Sequence, residues 1–306
     1  MCLFDPDMMN QLWSVFLKFI ALLAKTVNQN GFVRLRISMF VSMVKGLLSH
    51  GLFIGLTLWF CGCYTVPETG RSSLTMVSED QLASAAATQF EQIKLQTPVS
   101  KNPDYNERVQ QVGARIAKVA EDDIPNANWE FVVFEDDDQI NAFAMPGGKV
   151  AVYTGLLKVT KTDDELAIVM GHEIAHVAAR HSNERFSQEL IKSGLINVGA
   201  IALSGSGLSS IEGELLLAAV GAGAELGVIL PFSRKHESEA DHIGLLYAAS
   251  AGYDPHAAIT FWERMEELEQ EGERPPEFIS THPAGKTRIR RLWTKMPEAM
   301  EIYRNL

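Results

Sequence analysis

The stretch Thr162–His181, TDDELAIVMGHEIAHVAARH, decides how the rest of the chain is read. It opens on Thr162-Asp163-Asp164-Glu165, a capping box that starts a helix. Leu166, Ile168, Val169, Ile174 and Val177 follow with few breakers, so the helix continues. About two turns in stand His172-Glu173-Ile174-Ala175-His176, an HExxH motif. On a helix, residues four apart lie one above the other, so His172 and His176 share a face. Two imidazoles at that spacing can bind one Zn²⁺, and Glu173 is placed to take a proton from a water the metal activates. His181 is expected to be structural, because a continuing helix turns it about 140° away from His176.

A catalytic zinc needs a third protein ligand and an open position. The chain has three cysteines, Cys2, Cys61 and Cys63, so the ligands beyond them must be His or carboxylate. The run His236-Glu237-Ser238-Glu239-Ala240-Asp241 supplies carboxylates, and Pro231 and Ser233 let a helix begin before it. Glu237 and Asp241 share a helix face, whereas Glu239 is turned by about 200° from Glu237. Glu237 is therefore expected as the ligand. Asp241 is expected to accept the second N–H of a metal-bound imidazole, which fixes the ring.

Charge and length bound the alternatives. The chain has 306 residues, 27 Lys+Arg against 38 Asp+Glu, and a net charge of −11. That balance argues against a nucleic-acid partner, which requires a basic face. Residues 1–63 carry five basic and two acidic residues, a net of +3, which leaves −14 for the rest. Two apolar stretches lie in this basic segment, around Leu12–Leu23 and over Gly46–Phe60, the second running into Cys61-Gly62-Cys63. A positive flank, a short apolar run and a small residue before a Cys resemble a bacterial lipoprotein signal. Residues 1–62 are thus read as a leader, with 1–38 read as an over-long start because Met39 and Met43 are more ordinary starts. Cys63 is the expected lipidation site and membrane anchor, with 63–77 as tether and 78–306 as the catalytic domain. Tyr64 after Cys63 points to a periplasm-facing protein of the outer membrane. An inner-membrane signal anchor with a periplasmic domain is the alternative.

Within the domain, helices are expected over Ser78–Lys94 and Tyr105–Glu121, and β-runs over Trp129–Phe134, Ala142–Met145 and Val150–Thr154. Pro146-Gly147-Gly148 is a turn between the last two. Helical patterns then continue to the C-terminus, with Asp254-Pro255 as a helix start. The fold class is mainly α with a small β-sheet (α+β). The apolar, small-residue stretch Leu195–Leu230 reads as core or as an arm beside a cleft.

HExxH, then ExxxD, with Asn141-Ala-Phe-Ala-Met-Pro-Gly-Gly148 before and Ser280-Thr-His-Pro283 after, resembles the HtpX and CAAX prenyl endoprotease family of zinc metallopeptidases. The chain is most similar to its soluble-domain branch of periplasmic bacterial and mitochondrial Oma-type members. The resemblance covers about Ser78–Ile302 and lacks the C-terminal tetratricopeptide array of some relatives. It implies a gluzincin fold, one zinc per chain on His172, His176 and Glu237, Glu173 as general base and Asp241 supporting a ligand histidine. It also implies that His282 faces the zinc as a further catalytic residue, either to stabilise an oxyanion or to cap the metal in a closed state, and it matches Arg288 without giving it a role. A substrate peptide is expected to add itself to the hairpin edge at Asn141, Ala142, Phe143 and Ala144. The implied activity is endopeptidase action on misfolded or misassembled membrane and envelope proteins. A membrane-tethered chaperone or assembly factor with structural zinc is the alternative.

Overall fold

A computed structural model of the protein describes residues 63–192, 233–271, 278, 282 and 285–306. Gly46–Phe60 and Leu195–Leu230 lie outside the described residues. Among the described residues no helix is long and apolar enough to cross a membrane.

Strands β1 (Cys63–Thr65) and β2 (Ser72–Leu74) pair antiparallel, with Cys63 opposite Leu74, and belong to the smaller of two compact units. The connecting residues Val66–Arg71 belong to the larger unit with Thr75–Leu306. They are not the loose tether expected for this segment. Val66 N–H donates to Arg71 C=O and Gly70 N–H to Val66 C=O, both at 2.8 Å, and the Val66 side chain is buried.

Helices α1 (Glu79–Gln96) and α2 (Pro103–Val119) open the larger unit. Ser78 caps α1 by accepting from Gln81 N–H at 3.3 Å, as its sequence expects. Asn102 caps α2 ahead of Pro103, so this helix starts before the expected Tyr105. Strands β3 (Glu130–Phe134), β4 (Ala142–Met145) and β5 (Lys149–Tyr153) then form a sheet in the order β3-β5-β4. β3 runs parallel to β5 and β4 antiparallel to it. Gly147 and Gly148 turn the hairpin at φ +83° and +88°, a region open to glycine at little cost. β5 is the middle strand and wholly buried, which leaves β4 as the edge of the hairpin. Phe90 of α1 packs with Phe134, Phe143 and Tyr153 on one side of the sheet.

Helix α3 (Thr154–Val159) leads to α4 (Asp163–Ala178), which carries HExxH. Thr162 Oγ1 accepts from Glu165 N–H at 3.2 Å and starts it. Glu165 does not return the bond to Thr162 as a full capping box would. It accepts instead from Lys161 N–H and, bidentately, from Arg264 at 2.7 and 2.8 Å. The α4 residues Glu165–Ala178 are all buried, as befits a helix apolar on every side. Helices α5 (His181–Lys192), α6 (Arg234–Ser250), α7 (Ala257–Glu271) and α8 (Lys286–Arg304) complete the unit. Ser233 caps α6, and Asp254 accepts from His256 N–H ahead of α7.

Two glycines fix how α4 meets α6. A Cβ on Gly244 would lie 2.7 Å from the backbone nitrogen of His172, and one on Gly171 would lie 2.8 Å from the Gly244 carbonyl oxygen. The helices therefore touch backbone to backbone beside the first histidine of HExxH. Gly244→Ala should force them apart, costing about 1–3 kcal/mol in denaturant unfolding and lowering zinc content. Unchanged stability and zinc content would show that the contact has slack.

Candidate active site

The α4–α6 contact brings one face of each helix together. Nε2 of His172 and Nε2 of His176 are 3.1 Å apart, and each lies 3.4 Å from an oxygen of Glu237. His282 enters from beyond α7, its Nε2 3.6 Å from Glu173 and 3.9 Å from Glu237. One ligand atom from each of His172, His176, Glu237 and His282 lies within 4.8 Å of the others, and all four residues are buried. Among the described residues neither oxygen of Glu237 accepts a well-formed hydrogen bond, and an ion pair with Arg288 at 3.3 Å is its contact with a fixed positive charge. A buried carboxylate in that state is costly unless it is paired or coordinates a metal. Burial works against its charge, yet His282, His172 and His176 hold it far below the usual carboxylate range. Imidazoles and a carboxylate converging in this way are the donor set of a zinc site.

The two α4 imidazoles are held from behind by different means. Nδ1 of His172 is 3.1 Å from Oδ1 of Asp241, one turn beyond Glu237 on α6. Burial lowers the His172 pKa, but Asp241 and Glu237 outweigh it and raise it to about 9. Asp241 is held by Arg288 of α8, whose Nε and Nη2 lie 3.1 and 2.5 Å from Oδ1. The same guanidinium reaches Glu237 at 3.3 Å and sits over the Trp262 ring, 3.5 Å from its centroid. Arg288 thus joins both α6 carboxylates, a role its position in the sequence does not reveal.

His176 is backed by His181, against the sequence expectation. α4 does not continue through His181. It ends at Ala178, and Arg180 takes a left-handed φ of +54° that turns the chain back. Nδ1 of His181 consequently lies 2.8 Å from Nδ1 of His176, and its Nε2 lies 2.9 Å from Glu239. Glu239, turned away from Glu237, is still engaged with the site from behind. Nothing in the sequence signalled this, because a helix break without a Gly or Pro leaves no local mark.

Burial pushes the Glu173 carboxyl up to about 8, against the pull of His172 and Arg288. His282 is stacked on Phe278 at 4.7 Å and donates its backbone N–H to Phe278 C=O at 2.7 Å. Phe278 in turn stacks on Trp262 and donates its N–H to Ile140 C=O at 3.1 Å, which ties the His282 segment to the start of β4. Asn141 and Ala142 are buried, whereas Phe143 and Ala144 are half-buried on the edge strand.

An HExxH helix crossed by a second helix that carries the carboxylates defines a zincin-type metallopeptidase. A family model for peptidase family M48 matches residues 103–295, and the chain belongs to that family. It is a zinc metalloendopeptidase, and its substrates are polypeptides. It is 36% identical over 247 residues to the mitochondrial metalloendopeptidase OMA1 of Schizosaccharomyces pombe, covering 80% of this chain and 70% of that one. It is 32% identical over 271 residues to the protein of that name in Saccharomyces cerevisiae, covering 81% and 75%. The β-barrel assembly-enhancing protease of Escherichia coli K12 is 30% identical over 232 residues, covering 74% of this chain and 46% of that protein.

These relatives overturn the location read from the leader. A bacterial outer-membrane lipoprotein, or its inner-membrane alternative, is not supported when the relatives at 36% and 32% identity are mitochondrial by name. A basic, acid-poor leader is equally the composition of an organellar transit segment, so charge and hydropathy could not separate the two.

Arg288→Lys keeps a charge but loses the fork that joins Asp241 to Glu237. Competition with a chelator should show zinc affinity about tenfold weaker. Wild-type affinity would mean that Asp241 keeps its place unaided.

Proposed function

We propose that His172, His176 and Glu237 hold the zinc ion, that Asp241 orients His172, and that Glu173 is the general base. When bound, zinc lowers the pKa of a water to about 7 and polarises the scissile carbonyl. Despite its burial, Glu173 is held in its ionised form by the positive charge of a bound metal, and that carboxylate accepts the water's proton and delivers it to the leaving amine. Burial keeps the His282 imidazole neutral, with its pKa lowered to about 3. A neutral ring still carries one N–H, which serves as a donor to the developing oxyanion.

The substrate is held as an added strand on β4, at Asn141–Ala144. Asn141 C=O accepts from Tyr153 N–H at 3.1 Å, so by antiparallel alternation Asn141, Phe143 and Met145 turn their backbone groups towards β5. Ala142 and Ala144 turn theirs outward. The Ala142 N–H is taken by Asn141 Oδ1 at 2.9 Å, which among the described residues leaves both Ala144 groups and the Ala142 carbonyl for a peptide. The clients are misfolded or misassembled membrane proteins. This is supported by the name of the E. coli relative, which ties that protease to β-barrel assembly. A tether at Cys63 is a separable proposal: its thiol is exposed. Mass spectrometry of the mature chain checks it, and an unmodified Cys63 removes the anchor.

The observation that carries this reading is the buried Glu173 carboxyl beside four converging donors. A purely structural zinc, as in a chaperone, has no need of such a base. Glu173→Gln should retain zinc while casein cleavage falls by about 10²–10⁴, whereas Glu237→Ala should lose both. Wild-type cleavage by Glu173→Gln would overturn the mechanism.

A further inference from the structure

The strap Val66–Arg71 ends against the rear of the site, in a cluster of charged groups that the proposed mechanism does not use. Nε of Arg71 donates to Oε2 of Glu239 at 2.6 Å, and Thr69 Oγ1 donates to Oε1 of the same carboxylate. Glu239 faces Nε2 of His181 at 2.9 Å, and Nδ1 of His181 faces Nδ1 of His176 at 2.8 Å. Arg71 also pairs with Glu184 of α5 at 2.8 Å. Glu184 lies 3.2 Å from Nε2 of His236, whose ring stacks on His181 at 4.4 Å. The fork of Arg71 thus holds two carboxylates, each of which faces one imidazole of a stacked pair.

The donors and acceptors of this chain of contacts admit one consistent direction. A ligand imidazole that offers Nε2 to the metal carries its proton on Nδ1, so His176 must donate to Nδ1 of His181. His181 is then protonated on Nε2 and donates to Glu239. A carboxylate can only accept there, and Arg71 and Thr69 can only donate to it. His181 thus accepts at Nδ1 and donates at Nε2, and it is wholly buried, so its ring has no solvent alternative. His172 has a carboxylate directly behind it. For His176, the carboxylate stands one imidazole further back and is itself set by residues far away in the sequence.

We propose that Arg71 and Thr69 are positioning residues for the zinc ligand His176, acting through Glu239 and His181. The catalytic unit therefore includes the strap Val66–Arg71 and does not start at Ser78. The inference rests on the assignment of His172, His176 and Glu237 as zinc ligands.

The test uses the full chain loaded with zinc or cobalt, and it reads zinc release to a chelator and the cobalt d–d absorption spectrum. Arg71→Ala should release zinc about tenfold faster and alter the spectrum, and Arg71→Lys should recover part of both. Thr69→Val and Glu239→Gln are close in shape to the native residues and should shift both readouts the same way, the former less. Lys94→Ala, which breaks the pair with Glu130 outside the site, should change neither. Wild-type release and spectrum in folded Thr69→Val and Glu239→Gln overturn the proposal, even if Arg71→Ala fails to fold. Equal zinc loss in Lys94→Ala and Arg71→Ala also overturns it, because the effect is then general. Glu237→Ala separates the two levels. If it keeps zinc, the ligand assignment itself fails. If it loses zinc while Thr69→Val and Glu239→Gln behave as wild type, only the relay fails.

Discussion

The backbone contact between Gly171 and Gly244 is the constraint on which the site depends. Glu237, Asp241 and Gly244 are spaced four and three apart, so they occupy one face of α6. When Gly244 seats against the backbone at Gly171 and His172, the two carboxylates come level with the imidazoles. Any side chain at either glycine would open the gap between Glu237 and the histidines, which is now 3.4 Å. Close-packed interiors do not absorb such a shift locally. The metal chemistry and the packing of α4 on α6 are therefore one requirement.

Around that contact the structure supports its two α4 imidazoles unequally. His172 rests on Asp241, and Asp241 on an arginine that is itself seated on Trp262. The same aromatic column, through Phe278, carries His282. α7 and α8 thus serve one side of the site. The other side is served by α5 and by the strap before α1, through His181 and Glu239. Ion pairs and hydrogen bonds are stronger in a buried, low-dielectric setting than in water, which holds together residues so far apart in sequence. In the proposed reading, the edge of β4, unpaired among the described residues, is the backbone that holds the substrate's own.

Much of this was legible in the sequence. The cap at Thr162, the apolar run after it and the HExxH spacing specify a buried helix with two histidines on one face. Glu237 and Asp241 follow from their separation of four, and the Pro146-Gly147-Gly148 turn follows from residues that tolerate positive φ. The break at Arg180 was not legible, because a non-glycine residue in the left-handed region leaves no mark in composition. With the helix expected to continue, His181 pointed away, and its tie to His176 could not be seen. Arg288 matched a pattern but had no visible partner. The strap looked like a linker because Pro67 and Gly70 read alike in a loose tether and in a tight loop. The leader misled on location because positive charge beside an apolar run is common to several targeting routes.

By itself, then, the sequence determined what is set by periodicity and local backbone preference: the elements, the capped metal helix, the two-carboxylate face and the reacting groups they carry. These depend on residues within a turn or two of one another. The tertiary structure alone decided which groups stand behind the ligands, because Arg71, His181, Glu239 and Arg288 come together only once distant elements have packed. Nothing in local spacing encodes a contact that a left-handed residue, a strap and two glycines create between them.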